Sequence, residues 1–113
     1  MILITGGAGM VGTAVKKAAP DAYFPLREEM DLSGPIRLDG IKNIIHLAAK
    51  VGGVKANTEF MAEFYYKNVQ INQNLLSAAH ENGVDKVVSL LSTCVYPAAP
   101  YIKYPLTENQ LHL

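Results

Sequence analysis

The feature that most constrains the fold is a run of glycines that directly follows a short apolar segment. Residues 1–5 read MILIT, and the next seven read GGAGMVG, which spaces Gly6, Gly9 and Gly12 three residues apart. An apolar run that ends in turn residues is typical of a buried parallel strand, and helical character begins at Met10. The segment therefore predicts a strand, a tight loop and a helix in direct succession.

Each glycine of this loop has a separate physical role. Gly6 permits the tight turn off the strand, Gly9 leaves room where a phosphate approaches the backbone, and Gly12 lets the helix pack closely on the sheet. The first helical turn, at Met10 and Val11, offers free N–H groups and a partial positive charge. No Gly-Lys-Ser/Thr follows, which excludes a kinase-type P-loop, and the alternative is a purely structural turn. We therefore expect the loop to bind the pyrophosphate of a dinucleotide.

Strands and helices alternate along the rest of the chain. The predicted strands cover residues 1–5, 22–26 (weakly), 43–47 and 86–91, and the predicted helices cover residues 10–19 and 58–82. Residues 31–40 are predicted to be mostly loop, because they contain Gly34, Pro35 and Gly40. This alternation predicts an α/β fold with a doubly wound parallel sheet of the Rossmann type. The 113 residues are enough for a single domain, residues 1–113, and too few for two.

Composition excludes several classes of partner. The ten basic and ten acidic residues cancel, so no strong field favours nucleic acid or an anionic membrane. The apolar start is too short for a signal peptide, and no apolar run is long enough to span a membrane. The single cysteine, Cys94, can form neither an internal disulfide nor a metal cluster. We expect a cytoplasmic protein without nucleic-acid, membrane or metal partners.

The charged residues after the second predicted strand bear on the choice between NADP and NAD. An acidic residue at this point binds the ribose hydroxyls of NAD, whereas an arginine holds the 2′-phosphate of NADP. The chain reads Leu26-Arg27-Glu28-Glu29 here. The guanidinium of Arg27 can meet a phosphate with two parallel hydrogen bonds, which favours NADP. Glu28 could take the NAD role instead, and a solvated charge cluster is the third alternative.

Polar side chains follow the last predicted strand in the segment Ser92-Thr93-Cys94-Val95-Tyr96-Pro97. At the carboxyl edge of a parallel sheet such side chains point into the ligand crevice. The hydroxyl of Ser92 could polarise a carbonyl there. In an extended stretch Cys94 shares the face of Ser92, and its thiol could act as an acid or a base. The alternative for Cys94 is a small buried apolar residue.

The Thr-Gly-x-x-Gly-x-x-Gly spacing of residues 5–12 resembles the extended branch of the short-chain dehydrogenase/reductase superfamily. The resemblance implies that Asp31 and Leu32 lie at the adenine, that Leu47, Ala48 and Ala49 run beside the cofactor, and that Asn68 is structural. Asp31 could instead be a turn or cap residue, and Asn68 a helix-face residue. We expect His46 to be a strand-end or core histidine rather than a catalyst.

Four further segments resemble the GDP-L-fucose synthase family within that branch. They are Lys50-Val51-Gly52-Gly53, residues 64–69, residues 92–97 and residues 104–108. Members are NADPH-dependent enzymes that epimerise and reduce GDP-4-keto-6-deoxy-mannose. The resemblance implies NADP(H) as cofactor and a GDP-sugar substrate at Val51, Gly52 and Gly53. It also implies Ser92 as an aid to ketone polarisation, Cys94 as the acid/base group of epimerisation, and a homodimer formed through the long helix. The candidate cofactor-binding residues are Gly6, Gly9, Met10, Val11, Gly12, Arg27, Asp31, Leu32, Leu47, Ala48 and Ala49.

The chain departs from that family at the catalytic tyrosine–lysine pair. None of the six tyrosines has a lysine at the fourth following position. We therefore expect an N-terminal portion that lacks the C-terminal substrate domain, leaves a sheet edge open and turns over no sugar nucleotide alone. The alternatives are another extended-branch sugar-nucleotide epimerase or dehydratase, and a non-catalytic dinucleotide-binding module.

Overall fold

The computed structural model describes residues 1–112 and contains a small parallel sheet with helices between its strands. Its strands are β1 (Ile2–Thr5), β2 (Asn43–His46) and β3 (Lys86–Ser89), and its helices are α1 (Met10–Ala18), α2 (Val54–Glu59) and α3 (Met61–Glu81). Short 3₁₀ helices follow at Thr93–Val95 and Glu108–His112. The α/β class predicted from the sequence is confirmed.

The three strands pair in parallel in the order β1-β2-β3. The register places Leu3 beside Ile44 and Ile44 beside Val87, so these three side chains share one face of the sheet. All three carboxyl ends consequently meet at one edge, where Thr5, His46 and Ser89 are neighbours. That edge is where ligands bind in open α/β sheets.

The predicted strand over residues 22–26 is wrong. Only Tyr23 pairs with β1, through an isolated parallel bridge to Leu3. Its N–H donates to the Ile2 carbonyl and its carbonyl accepts from Ile4 N–H, both at 2.8 Å. Pro25 has no N–H to continue the ladder, and a turn follows it. The bridge still places residue 23 on the far side of β1 from β2.

This order explains the doubly wound layout. The connection from β1 through α1 to Tyr23 runs in one direction across the sheet, and the connection from β2 through α3 to β3 runs in the other. Because such crossovers are right-handed, α1 and α3 lie on opposite faces.

The main core lies on the α3 face. Leu3 and Ile44 of the sheet pack there with Leu75, Ala78 and Ala79 of α3, and Val87 packs against this cluster. The loop before β2 completes the core with Leu32, Leu38 and Ile41. On the opposite face Ile4 is fully buried, Ile45 is half-buried and Val88 is 45% exposed. The side chains on that face are therefore progressively less buried from β1 to β3.

The single helix predicted over residues 58–82 is two helices. The backbone of Phe60 leaves helical geometry, with φ −119° and ψ 35°, and separates α2 from α3. Helix α2 also begins earlier than predicted, because Gly53 is its extended N-cap and the Asn57 amide donates to the Gly52 and Gly53 carbonyls. The apolar spacing continues through Phe60 and Phe64, so periodicity alone does not reveal the break.

Candidate functional site

A cleft of about 780 Å³ opens at the carboxyl ends of β1 and β2. All eleven candidate cofactor-binding residues line it, although they come from four separate parts of the sequence. The other lining residues are Thr5, Gly7, Ala8, Pro25, Leu26, Met30, Ser33, Lys50, Val51, Lys67, Gln70, Ile71 and Leu90.

Two glycines of the loop are required by the local geometry. Gly6 has φ +74°, a region that favours glycine, and a Cβ at this position would lie 2.7 Å from Ala48 N. A Cβ on Gly12 would overlap the Gly6 carbonyl oxygen and lie 2.6 Å from Gly7 Cα. Gly12 therefore packs closely against the backbone of the loop.

The first turn of α1 faces this loop. Gly9 is the extended N-cap and offers no side-chain cap, and the first helical bond runs from Thr13 N–H to the Gly9 carbonyl. The N–H groups of Met10, Val11 and Gly12 consequently have no partner within the helix. An anion fits here, because free N–H groups and the positive end of the helix dipole meet beside glycines that carry no side chain.

Charged side chains line the cleft around Asp31. The Asp31 carboxylate accepts hydrogen bonds from Ser33 Oγ at 2.6 Å and Ser33 N–H at 2.9 Å, the geometry of a turn residue. These bonds, and more weakly the nearby Arg27 and Lys67 cations, lower the pKa of Asp31 below its usual value. Asp31 thus satisfies the turn interpretation and also faces the cleft.

Lys67 and Ser33 are site residues that the sequence does not reveal. Lys67 reaches the cleft from the middle of α3, and Ser33 holds Asp31 from the loop. A lysine on an amphipathic helix gives no signal of its own, because its direction depends on how the helix packs. For Ser33 the sequence offers one local signal: a serine two residues after an aspartate predicts a turn, although it does not predict a place in the cleft.

Asn68 of α3 holds the chain where it leaves β2. Its Oδ1 accepts from Lys50 N–H at 2.7 Å and its Nδ2 donates to the Lys50 carbonyl at 2.9 Å. The Lys50 ammonium pairs with Glu63 and lowers the pKa of that carboxyl. Val51 then lines the cleft, whereas Gly52 and Gly53 lie outside its lining, and Gly53 is the N-cap of α2.

His46 lies below the cleft rather than in its wall. It is only 5% exposed, and its ring nitrogens contact Thr5 Oγ1 at 2.7 Å and Asn72 Oδ1 at 2.8 Å. It occupies the end of a strand, inside the fold.

Ser92 and Cys94 follow the carboxyl end of β3, but the stretch between them is not extended. Residues 93–95 form a 3₁₀ turn that begins with a bond from Cys94 N–H to Ser92 Oγ at 3.1 Å. The expectation that both side chains share one face of an extended segment is therefore wrong. The alternative of a buried Cys94 is wrong as well, because Cys94 is exposed. Neither residue lines the cleft, although Leu90 just before them does.

One side of α3 carries exposed apolar side chains. They recur at helical spacing along the helix flank opposite Lys67, and we call them the α3 stripe: Met61, Tyr65, Val69 and Leu76. Asn72 lies within this stripe.

The fold and the cleft define a class of protein. A parallel sheet, a glycine turn after its first strand and a cleft at the carboxyl strand ends are the features of a Rossmann-type dinucleotide-binding domain. The chain belongs to the NAD dependent epimerase/dehydratase family, whose model matches residues 2–112.

Two relatives illustrate the similarity. GDP-L-fucose synthase of Dictyostelium discoideum is 36% identical over 124 aligned residues, which cover 98% of this chain and 38% of that protein. A GDP-L-fucose synthetase from Naegleria fowleri, solved bound to NADP, is 35% identical with a TM-score of 0.74 and covers 98% of this chain and 36% of its own. The chain spans well under half the length of these proteins.

A third relative is more distant in sequence. MlghC, a GDP-mannoheptose C4 reductase from Campylobacter jejuni solved with NADP bound, superposes with a TM-score of 0.82 at 27% identity. The match covers 97% of this chain and 35% of that one. The fold is therefore shared by proteins whose names refer to different GDP-sugars.

Two further features are absent from residues 1–112. Within that range no helix is long and apolar enough to cross a membrane. No group of three or more histidine, cysteine or acidic side chains over the same residues is placed to hold a metal ion.

Proposed function

We propose that this chain is the cofactor-binding part of an NADP(H)-dependent GDP-sugar epimerase/reductase that forms GDP-L-fucose from GDP-4-keto-6-deoxy-mannose. The observation that carries the proposal is the cleft, whose wall contains all eleven residues selected from the sequence for dinucleotide binding. The free N–H groups at the start of α1 suit a pyrophosphate, and Arg27 offers a cation for a 2′-phosphate.

The residues have distinct roles in this proposal. NADPH, when bound, supplies a hydride to a ketone. The glycine loop orients the pyrophosphate, Asp31 and Leu32 lie at the adenine, and Ala48 and Ala49 lie beside the cofactor. Val51, Gly52 and Gly53 contact the GDP-sugar, the Ser92 hydroxyl donates a hydrogen bond to the ketone oxygen, and Cys94 Sγ moves a proton at the carbons beside it.

The exact sugar is the finer part of the proposal. The likeness to MlghC favours a second candidate, a GDP-sugar 4-reductase acting on another sugar. A non-catalytic dinucleotide-binding module is the third. The 113 residues hold no tyrosine followed four residues later by lysine, so we expect this chain alone to bind cofactor and not to form product. We further propose a homodimer formed through the α3 stripe, in the reducing cytoplasm that an exposed thiol suits.

Separate titrations of the protein with NADPH and with NADH test the cofactor assignment. We expect wild type to prefer NADPH, and Arg27→Ala to weaken NADPH binding about tenfold, since a hydrogen bond to a charged group contributes about 1.5–3 kcal/mol. NADH binding should change little, because NADH has no 2′-phosphate. Arg37→Ala is the matched control, since Arg37 is exposed, pairs with Asp39 and lies outside the cleft lining. A preference for NADH that Arg27→Ala leaves unchanged would remove the NADP assignment.

A further inference from the structure

His46 is a buried titratable group that the proposed chemistry does not use. Its two ring nitrogens are both hydrogen-bonded, Nδ1 to Thr5 of β1 and Nε2 to Asn72 of α3. It touches the cleft only through other residues, because it is absent from the lining whereas Thr5 is part of it. Any buried imidazole needs partners for both ring nitrogens, and in this fold the two partners lie on different elements, one of them at the cleft.

The partners of the Thr5 hydroxyl fix where the protons lie. Thr5 Oγ1 already accepts from Leu47 N–H at 3.2 Å and from Ala48 N–H at 3.3 Å. A hydroxyl has one proton and two acceptor lone pairs, so the proton of Thr5 points to His46 Nδ1. Nδ1 must then be the acceptor, and the ring carries its proton on Nε2, where it is donated to Asn72 Oδ1. The network therefore selects the neutral Nε2–H tautomer.

The same hydroxyl sets the position of the cleft wall. Leu47 and Ala48 line the cleft and lie against the glycine loop, where a Cβ on Gly6 would meet Ala48 N at 2.7 Å. A rotation of the Thr5 hydroxyl away from His46 would turn its proton towards one of these two N–H groups. Leu47 N–H also donates to the Thr5 carbonyl at 3.3 Å, so the bond from Ala48 N–H depends most on the hydroxyl.

We propose that His46 is a positioning residue for cofactor binding: its Nε2–H tautomer orients the Thr5 hydroxyl, which holds Leu47 and Ala48 against the glycine loop. The inference rests on the proposed dinucleotide function. It concerns the affinity of the cleft and assigns His46 no contact with cofactor or substrate.

A matched pair of substitutions at this position tests the role. Leucine and asparagine have the same number of side-chain heavy atoms in the same branched arrangement, and only asparagine can place an acceptor near the position of Nδ1. We expect His46→Leu to raise the dissociation constant for NADPH about fivefold, the worth of one net hydrogen bond, and His46→Asn to restore most of the affinity. Both variants lose the ring, so their thermal midpoints should fall together. Equal NADPH affinity in the two variants would overturn the inference, because a packing role predicts that equality.

Nuclear magnetic resonance of wild type provides a second test that needs no variant to fold. Long-range proton–nitrogen correlation spectra of the imidazoles, with His46 assigned by its absence from the His46→Asn spectrum, should show a proton on Nε2 and none on Nδ1 at neutral pH. A proton on Nδ1 would overturn the inference. Wild type that binds neither NADPH nor NADH would overturn the proposed function and the inference with it, whereas wild type that binds with both variants equal overturns the inference alone.

Discussion

At the scale of single residues, some roles can be predicted from the sequence and others cannot. The roles of Gly6 and Gly12 can be predicted because each position requires a residue without a side chain. Gly6 has a positive φ, and a Cβ on Gly12 would lie under 3 Å from the loop backbone. The roles of Arg27 and Asp31 can be proposed because both follow the second predicted strand, where residues meet the adenosine end of a dinucleotide. The role of Lys67 cannot be predicted, because its place in the cleft depends on how α3 is rotated about its axis. What could be predicted at this scale is backbone geometry, and what could not is side-chain direction.

Cys94 provides a test of the substrate side of the site. It is the only cysteine and it is exposed, so a thiol-alkylating reagent labels one position. We expect GDP-mannose to slow alkylation by iodoacetamide about threefold, because the thiol is proposed to lie beside the sugar of a bound GDP-sugar, which would restrict access to it.

The control is UDP-mannose at the same concentration, which shares the sugar and the diphosphate and differs in the base. Labelling rates that do not change with GDP-mannose would contradict the placement of Cys94 at the substrate. Slowing that is equal for both nucleotide sugars would contradict the assignment of a GDP-sugar.

At the scale of elements, strands proved easier to predict than helix ends. β2 and β3 stand out as short apolar runs, and only their last one or two residues were misplaced. The weak strand at residues 22–26 failed because Pro25 ends the pairing after Tyr23. The long helix was predicted without its break, because Phe60 keeps the apolar spacing while its backbone leaves the helix.

Asn68 shows how α3 supports the strand exit, and it yields a prediction for this scale. Asn68→Ala removes both bonds to the Lys50 backbone, and we expect a loss of about 1–2 kcal/mol in the free energy of unfolding. Urea denaturation followed by circular dichroism measures it, since the chain has no tryptophan. Gln73→Ala, at an exposed position of the same helix, is the control. An equal effect of the two substitutions would show that the hydrogen bonds between Asn68 and the Lys50 backbone add nothing to the free energy of unfolding.

At the scale of the whole molecule, the two faces of the sheet are covered unequally. The α3 face holds a continuous core, whereas on the other face exposure rises from Ile4 to Val88, and Leu91 beyond β3 is 78% exposed. The alternation of strands and helices predicted this layered architecture. The extent of cover could not be predicted, because it depends on which segments pack on each face.

The α3 stripe predicts the oligomeric state. Apolar side chains at helical spacing on an exposed flank are stabilised when a second copy covers them. We expect wild type to sediment as a dimer at micromolar concentration and Tyr65→Glu, within the stripe, to be monomeric. Tyr66→Glu is the matched control, since Tyr66 is an exposed neighbour outside the stripe. A monomeric wild type, or equal effects of the two substitutions, would contradict the dimer.

The central claim is that the glycine-rich loop and the cleft beneath it bind NADP(H), and calorimetric titration of NADPH into wild type and Gly12→Ala tests it most directly. A Cβ at Gly12 would force apart the loop backbone at Gly6 and Gly7, whereas a Cβ at Gly34 has no atom within 4 Å, so Gly34→Ala is the control. We predict saturable binding of one NADPH per chain for wild type and Gly34→Ala. We predict affinity about tenfold lower for Gly12→Ala, a loss of about 1.4 kcal/mol, because a displaced loop no longer presents its free N–H groups to the pyrophosphate. No saturable binding by wild type, or equal affinity of the folded Gly12→Ala variant, would contradict the claim.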